Sequence, residues 1–252
     1  MTAVMALGMV SAVSVQAGIE DKTLIVGFDA EYPPYGYMDE NGEYTGFDLE
    51  LAQAVCDLEG WELEKKPINW DSKDMELNSG SIDCIWNGFT MNGREDDYTF
   101  SEPYVDNSQV IVVADDSGIE KLTDLAGKTV GVQAASAALD LLQSEEEGGQ
   151  KELADTFGAL NEFADYNTAF TELQAGALDA LAIDVGVAKY QLNSRGEGFK
   201  ILDETLNTEQ YAIGFKKGNT ELSDNVKTDH HKLPEDGTEP ELADKYEIAD
   251  MV

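Results

Sequence analysis

Short apolar runs alternate with helical patterns along the chain, and this alternation constrains the fold more than any other feature. Residues 24–28 are typical of a buried strand, and residues 46–60 of an amphipathic helix. The stretches "WELEKKPI" and "IDCIWNGFT" then predict two further strands. Strands that alternate with helices in this way favour parallel-type sheets with helices on their faces.

The helix predicted over residues 46–60 has clear boundary signals. Asp48 is expected to cap its N-terminus and Gly60 to end it. An Asn41-Gly42 pair ahead of the helix predicts a hairpin turn. The residues at helical spacing are Leu49, Leu51, Ala52, Val55 and Leu58.

A second set of alternating patterns follows. "SQVIVVA" predicts a strand, "TDLAGKTVGV" a short helix leading into a strand, and "SAALDLLQS" a helix. "NTAFTELQAGALDALAID" predicts a helix, a break at Gly176, and a strand that runs into Asp184. Two α/β units with strands passing between them predict two lobes hinged over a cleft.

The charge balance excludes one class of partner. The chain has 51 acidic and 16 basic residues, which gives a formal net charge of −35. Such a surface repels phosphate backbones, so we expect no binding to nucleic acid. A solubilising or salt-adapted surface explains the acidity most simply, and an acidic partner site is the alternative.

The cysteines and histidines match neither a disulfide framework nor a zinc cluster. Cys56 falls in a helical pattern and Cys84 in a strand pattern, so we expect two buried thiols, with a single bridge as the alternative. His230 and His231 are adjacent, and neighbours on a helix do not face one site. We therefore expect a solvated helix end there and no metal site.

Residues 1–19 resemble a signal peptide. The stretch "MTAVMALGMVSAVSVQAG" is apolar and rich in small residues, and Val15-Gln16-Ala17 fits a cleavage site. Ile19 stands where a lipoprotein needs a cysteine. We therefore expect export without lipid anchoring.

The stretch "FDAEYPPYGY" comes at the end of the first predicted strand. Asp29 lies just past the carboxyl end of that strand, where open α/β sheets bind ligands. Pro33-Pro34 fixes the turn that follows, and Tyr32 offers a ring face. A ligand site and a tyrosine-rich turn over the core both fit this stretch taken alone.

Five stretches occur together in an order and spacing that resemble one known family. They are "IVGFDAEYPPYGY", "GEYTGFDLELAQAV", "DCIWNGFTMNGREDDYTFSEPY", "LAGKTVGVQAAS" and "LQAGALDALAID". Over residues 22–218 the chain resembles the polar amino-acid branch of the bacterial extracellular solute-binding proteins, family 3, the receptors of ABC importers.

The resemblance implies a fold and a division of the chain. The fold is α/β, the two-lobed periplasmic-binding-protein fold of type II, with a mixed, mostly parallel sheet flanked by helices in each lobe. Residues 20–105 and 211–252 are expected to form lobe 1, and residues 106–210 lobe 2. A two-strand hinge is expected near 104–108 and 207–211.

The resemblance also implies a ligand site. Asp29 is expected to contact the ligand side chain, which the rings of Tyr32 and Trp70 would sandwich. Arg94 would clamp the α-carboxylate, and Asp184 would hold the α-ammonium. The loop before Arg94 would also contact the carboxylate, and a loop of the second lobe would complete the site. The residues of these two loops are Asn87, Gly88, Thr90, Gln133, Ser136 and Ala137.

The charges of the implied site suit a zwitterion. A buried unpaired charge costs several kcal/mol, so a bound amino acid needs a partner for each of its charges. Arg94 offers a planar fork for the carboxylate, to which Gly88 would add a backbone contact and Thr90 a hydroxyl. Backbone N–H groups at the helix start behind Ser136 add positive potential. Because Arg94 and Asp184 belong to different lobes, one ligand would bridge them and favour a closed state.

Each residue taken alone has a simpler interpretation. Arg94 in "NGREDD" also fits a surface salt bridge, and Asp184 fits a helix N-cap. Trp70 and Trp86 fit core aromatics. The chain also departs from the family's pattern, because Arg94 is matched across a one-residue gap and Ala135 stands where glycine is usual.

We therefore expect an exported protein, at the periplasmic or extracellular face of the cytoplasmic membrane, that captures a polar L-amino acid and delivers it to the permease of an ABC importer. Asp29 favours a ligand side chain that donates hydrogen bonds, such as that of Gln, Arg, Lys or His. We expect a monomer with no cofactor and no covalent chemistry. The alternatives are a prephenate-type dehydratase on the same fold and the ligand-binding input domain of a sensor.

Overall fold

The computed structural model describes residues 22–252. The predicted signal-peptide-like segment, residues 1–19, lies outside the described residues. The described part has the two-lobed α/β architecture that the sequence predicts, with two large mixed sheets and one small antiparallel sheet.

The strands and helices are short and follow the alternation of the sequence. The strands are β1 (Thr23–Phe28), β2 (Glu31–Tyr32), β3 (Gly36–Met38), β4 (Tyr44–Thr45), β5 (Glu62–Pro67), β6 (Cys84–Ile85), β7 (Tyr98–Phe100), β8 (Val105–Ala114), β9 (Thr129–Gln133), β10 (Ala159–Phe163), β11 (Ala180–Asp184), β12 (Phe199–Ile201), β13 (Asn207–Tyr211) and β14 (Gly214–Lys216). The helices are α1 (Phe47–Glu59), α2 (Lys73–Ser79), α3 (Ala137–Gln143), α4 (Lys151–Ala154), α5 (Tyr166–Gln174), α6 (Val185–Arg195), α7 (Thr220–His230), α8 (Leu233–Asp236) and α9 (Thr238–Lys245). Short 3₁₀ helices lie at Trp70–Ser72 and Leu122–Leu125.

The first large sheet has the strand order β5-β1-β6-β14-β7. β1 runs parallel to both of its neighbours, and β14 runs antiparallel to β6 and β7. Helices α1, α2 and α7 pack against this sheet, and α9 packs against α1. Because β1 and β6 are parallel neighbours, the loops that follow them lie side by side at one edge of the sheet.

The second large sheet has the strand order β10-β9-β11-β8-β12, and β13 also pairs with β8. β9 runs parallel to β10 and β11, whereas β8 runs antiparallel to β11, β12 and β13. The ends of β9 and β11 therefore meet at one edge of this sheet, as the ends of β1 and β6 do in the first.

The chain crosses between the two large sheets twice, and the crossings run side by side. One leads from β7 into β8 and the other from β13 into β14. The Ser101 N–H donates to the Ile213 carbonyl at 3.0 Å, and the Tyr104 N–H donates to the Tyr211 carbonyl at 3.0 Å. These hydrogen bonds join the two crossings into one connection.

We propose that this connection is the hinge. It comprises residues 101–104 and 212–213, and it meets the predicted hinge positions near 104–108 and 207–211 only at their ends, because residues 105–108 and 207–211 lie in the paired strands β8 and β13. In this proposal the connection separates the two lobes that the sequence predicts. The largest hydrophobic cluster includes Val26 of β1 and Ile183 of β11, one from each sheet. The lobes are therefore packed against each other.

The start of α1 corrects a prediction. Its N-cap is Gly46, not Asp48, so the expected cap is wrong. Gly46 has a φ of 134°, and a Cβ atom there would lie 2.2 Å from the Tyr35 carbonyl oxygen, so this turn excludes any side chain. Gly60 ends the helix as predicted, in a left-handed conformation, while Leu58 is exposed and does not join the core.

The stretch "IDCIWNGFT" forms less strand than predicted. Only Cys84–Ile85 pairs as β6, and the residues that follow are loop. Trp86 in this loop is fully buried, which agrees with its interpretation as a core aromatic. The prediction of two buried thiols is confirmed, since Cys56 and Cys84 are both free and buried.

The histidine pair also differs from expectation. His231 is exposed, but His230 is buried at the end of α7, so a fully solvated helix end is wrong. The His230 ring packs at 5.9 Å from Trp86 and 5.3 Å from Tyr104, measured between ring centroids. Burial lowers the pKa of His230 to about 4, so the imidazole is neutral at neutral pH.

Gly46→Ala should destabilise the first lobe strongly. The substituted residue would hold a strained φ and its Cβ would collide with backbone, which we expect to lower the free energy of unfolding by about 3 kcal/mol or more. Gly42→Ala is the matched control, because Gly42 also has a positive φ, 83°, but nothing lies within 4 Å of its Cβ position. It should cost only about 1 kcal/mol. Urea denaturation of both variants measures the difference, and equal losses would contradict the clash.

Candidate ligand-binding site

The sequence-predicted residues come together in one cavity between the lobes. Each follows or ends a strand, or begins the helix behind it, so the topology brings them to the facing edges of the two sheets. The cavity is small, about 10 Å³, which is room for about one water molecule. Its lining consists of Tyr32, Trp70, Asn87, Gly88, Thr90, Arg94, Gln133, Ser136, Ala137 and Asp184.

Asp29 stands directly behind this lining and connects the lobes. Its Oδ2 atom accepts a hydrogen bond from Gln133 Nε2 at 2.7 Å, and its Oδ1 atom accepts the Glu31 N–H at 2.9 Å. The Asp29 N–H donates to Asn87 Oδ1 at 2.8 Å, which ties the ends of β1 and β6 together. Burial outweighs these hydrogen bonds and raises the pKa of Asp29 to about 6.

Two of the predicted aromatic rings line the cavity. The Tyr32 ring is buried and packs 5.8 Å from Tyr35 and 6.0 Å from Tyr166, between ring centroids. Trp70 is half-buried and meets Phe89 edge-on at 5.8 Å. The sandwich of a ligand side chain by these two rings stays a prediction.

Position 88 requires glycine, because neighbouring rings leave no room for a side chain. Its φ is 54°, and a Cβ atom there would lie 2.8 Å from the Tyr32 ring. Its N–H donates to Asp48 Oδ2 at 2.5 Å. The expected backbone contact with a carboxylate is therefore not open to this N–H. Burial raises the pKa of Asp48 to about 7 although this hydrogen bond lowers it.

Arg94 lies at the mouth of the cavity and joins the lobes. Its Nη2 atom lies 2.8 Å from Asp140 Oδ2 of α3, and its Nη1 atom donates to the Thr90 carbonyl at 3.3 Å. The guanidinium stacks 5.1 Å from the Phe89 ring centroid. The salt-bridge interpretation of Arg94 therefore agrees with its ion pair to Asp140. The Arg94 side chain also lines the cavity.

The loop after β9 is held by local contacts. The Ser136 hydroxyl accepts the Leu139 N–H at 3.1 Å as the N-cap of α3, and donates to the Gln133 carbonyl at 2.8 Å. Ala135 has a φ of 55°, a conformation that favours glycine. Its carbonyl accepts a hydrogen bond from Lys73 Nζ at 3.1 Å, across the cleft. This loop thus closes on the first lobe.

Asp184 is held by polar side chains rather than by its own helix. Asp184 is at the N-cap position of α6, as its simpler interpretation expects, but its side chain makes no capping hydrogen bond. Its Oδ1 atom accepts hydrogen bonds from Asn107 at 2.9 Å, Gln109 at 2.6 Å and the Tyr211 hydroxyl at 2.7 Å. The carboxylate is therefore fixed in the wall of the cavity.

Sequence reasoning missed a second carboxylate. Glu209 of β13 is buried, and its Oε1 atom accepts hydrogen bonds from Thr90 Oγ1 at 2.9 Å, Asn107 at 2.8 Å and Gln109 at 2.7 Å. The Thr90 hydroxyl, expected to bind a ligand carboxylate, thus already has an acceptor. Alternating polar residues in the strands next to the predicted hinge were the available signal.

A wider groove lies outside the cavity. It has a volume of about 710 Å³ and shares Thr90, Arg94 and Ala137 with the cavity wall. Its other charged lining residues are Lys73, Asp74, Asp97, Asp140, Glu146, Glu147 and Glu209. The approach to the site is therefore mainly acidic, which attracts cations.

The profile of the bacterial extracellular solute-binding proteins, family 3, matches residues 24–248. The chain belongs to this family. The L-cystine-binding protein TcyJ of Escherichia coli (strain K12) is 29% identical over 260 residues, which cover 98% of this chain and 94% of TcyJ. The arginine-binding extracellular protein ArtP of Bacillus subtilis (strain 168) is 33% identical over 229 residues, which cover 89% of this chain and 86% of ArtP.

Solved structures support the same assignment for this family 3 solute-binding protein. An ABC uptake transporter substrate-binding protein from Streptococcus pneumoniae with bound histidine has a TM-score of 0.84 and 33% identity, and covers 90% of this chain and 93% of its own. The ancestral amino acid-binding protein AncCDT-1, a precursor of cyclohexadienyl dehydratase, has a TM-score of 0.81 and 29% identity, and covers 91% and 97%. Within residues 22–252, no helix is long and apolar enough to cross a membrane.

Asp29→Asn should change how stability depends on pH. Folding raises the pKa of Asp29 from 3.8 to about 6, so the folded protein holds this proton more tightly than the unfolded chain does. The stability that the proton contributes is present below about pH 4 and is lost as the pH rises through about 6. The free energy of unfolding of Asp29→Asn, relative to wild type, should therefore increase by about 1–3 kcal/mol between pH 4 and pH 8.

Denaturant titrations at the two pH values test this prediction. Asp39→Asn is the control, because backbone N–H groups lower the pKa of that exposed carboxyl below 3.8, so its effect on stability lies below pH 4 and its difference from wild type should stay nearly constant between pH 4 and pH 8. An Asp29→Asn curve parallel to that of wild type would show that folding does not perturb Asp29.

Proposed function

We propose that this family 3 protein binds a polar L-amino acid outside the cytoplasmic membrane and delivers it to the permease of an ABC importer. One observation carries the proposal: the cavity between the lobes has a guanidinium from one lobe, Arg94, and a carboxylate from the other, Asp184, in its wall. These are the opposite charges that a zwitterion requires when it leaves water.

The closed arrangement supports capture between the lobes. The cavity is smaller than any amino acid, so a ligand must enter while the lobes are apart and displace groups that now meet. Those groups are polar: Asp29 with Gln133, Arg94 with Asp140, and Lys73 with the Ala135 carbonyl. A ligand that replaces such contacts on both sides favours the closed state by its contacts with both lobes.

The side-chain pocket supports a hydrogen-bond-donating ligand. Tyr32 and Trp70 line the cavity, Asp29 bonds the lining residue Gln133, and the groove outside is acidic. Arg, Lys, His and Gln side chains donate hydrogen bonds, and three of them are cations at acidic or neutral pH. The relatives named for arginine and cystine and the neighbour with bound histidine fit a polar ligand of this class.

A dehydratase is the second candidate, and one observation favours it. A general acid needs a carboxyl with a raised pKa, and the pKa of Asp29 is about 6. Both oxygens of Asp29, however, already accept hydrogen bonds. This arrangement suits an acceptor for ligand donors better than a proton donor. We therefore propose that the protein is not an enzyme, and an assay with prephenate should show no turnover.

A thermal-shift screen against the common L-amino acids and L-cystine tests the proposed function. A ligand at 100 times its dissociation constant stabilises the folded state by about 2.7 kcal/mol, and at least one polar amino acid should do so. Asp184→Asn should lose the shift, whereas the exposed control Asp203→Asn should keep it. If no amino acid raises the melting temperature of the wild-type protein, amino-acid binding is wrong.

Arg94→Ala should abolish or strongly weaken binding of the amino acid found in that screen. Loss of a buried charged partner costs about 2–5 kcal/mol. Asp140→Ala separates the two roles of Arg94, because it removes the interlobe ion pair and leaves the guanidinium for a carboxylate. Calorimetry should give a large loss of affinity for Arg94→Ala and a small change for Asp140→Ala. Equal losses would show that Arg94 acts through the ion pair alone.

A further inference from the structure

Asp184 and Glu209 come from different strands and share the same hydrogen-bond donors. Asn107 Nδ2 lies 2.9 Å from Asp184 Oδ1 and 2.8 Å from Glu209 Oε1. Gln109 Nε2 lies 2.6 Å from Asp184 Oδ1 and 2.7 Å from Glu209 Oε1. Each amide group thus uses one N–H on each carboxylate, which holds the two carboxylates side by side.

The pair is buried without a counter-charge. Asp184 and Glu209 are each 4% exposed, and no Lys or Arg within residues 22–252 forms an ion pair with either of them. Their other partners are hydroxyls, those of Tyr211 and Tyr32 on Asp184 and that of Thr90 on Glu209. Two adjacent buried negative charges repel each other, and neutral donors do not cancel them. The pair therefore requires a cation or a proton.

The surrounding titratable groups do not supply a cation. Arg94 donates to the backbone carbonyl of Thr90 at 3.3 Å and is paired with Asp140. Burial raises the pKa of every neighbouring tyrosine well above its ordinary value, so these phenols stay neutral. The titratable groups whose charge interacts with Asp184 are Tyr32, Tyr35, Tyr166 and Tyr211, and the further carboxyl Asp29 interacts with Tyr166 beside them.

We propose that Glu209 joins Asp184 in binding the α-ammonium group of the ligand, and that this ammonium displaces a proton that Glu209 holds when no ligand is bound. The proposal rests on the proposed function, because it requires an amino acid as ligand. The hydrogen bonds from Asn107, Gln109, Tyr211 and Thr90 end on Asp184 Oδ1 and Glu209 Oε1. Asp184 Oδ2 and Glu209 Oε2 are the oxygens that accept from the ammonium N–H groups.

The proton on Glu209 makes binding depend on pH. Burial, and next the charge of Asp184, raise the pKa of Glu209 to about 7. One positive charge, the ammonium, replaces another, the proton, which is released to solvent. Because the complex excludes the proton, affinity rises as the pH increases towards about 7 and levels off above it, where the free pair has already lost its proton.

NMR of the ligand-free protein tests the pair directly. With ¹³C-labelled glutamate carboxyls, Glu209 should titrate near pH 7 in wild type and at a lower pH in Asp184→Asn, though still above the ordinary glutamate value of about 4.3, because burial remains when the charge of Asp184 is removed. An ordinary titration of Glu209 in wild type would overturn the proposed proton on Glu209, whatever the protein binds.

Calorimetry with L-arginine and with 5-guanidinopentanoate, which lacks only the α-ammonium, tests the ligand's role. Wild type should release a proton near pH 7 with L-arginine, as measured in buffers of different ionisation enthalpy. Glu209→Gln should weaken L-arginine about tenfold or more and abolish this release, while changing the affinity for 5-guanidinopentanoate much less. The exposed control Glu197→Gln should resemble wild type.

Two outcomes separate the possible failures. Equal losses for both ligands in Glu209→Gln would show that Glu209 only supports the site, which overturns its role at the ammonium. If L-arginine produces no heat, the amino acid with the largest thermal shift and its deamino analogue replace it. If no amino acid binds, the proposed function and the ammonium role both fall, and the NMR titration still reports whether Glu209 holds a proton near pH 7.

Discussion

The cleft contains buried carboxylates that form no ion pair with a Lys or Arg of residues 22–252. Asp29, Asp184 and Glu209 are all buried, and amide, hydroxyl and backbone donors hold them in place of Lys or Arg. Neutral donors stabilise a carboxylate less than a cation does. The pKa values of Asp29 and Glu209 accordingly stay at about 6 and about 7. A cationic group of a ligand would therefore balance the negative charge of the site. The acidic groove outside the site increases the local concentration of such ligands.

The lobes meet through contacts that suit reversible closure. Arg94 with Asp140 is one ion pair between the predicted lobes at the cleft. Contacts of this kind add little net stability, because water replaces them readily. In the proposed hinge, the two hydrogen-bonded crossings connect the lobes. Under the proposed function, a bound ligand would favour the closed state through the contacts that it makes with both lobes.

The predictions from sequence were most successful at the ends of strands. Asp29 and Asp184 were placed correctly because an apolar run defines a strand, and the polar residue at its carboxyl end then lies at the edge where ligands bind. Predictions that depended on a single local signal failed more often. Asp48 had the sequence of an N-cap but bonds Gly88, and His230 had polar neighbours but lies against Trp86. In both cases tertiary packing outweighed the local preference.

The sequence by itself determined the alternation of strands and helices, and with it the two sheets and the side chains at their facing edges. Hydrophobic periodicity carries that information because it is local. Only the tertiary structure decided which polar groups share partners. Glu209 lies beside Asp184 because β13 and β11 both pair with β8, and the amides of Asn107 and Gln109 on β8 reach both carboxylates. Such a pairing depends on strand register across the sheet, which no single segment of the chain encodes.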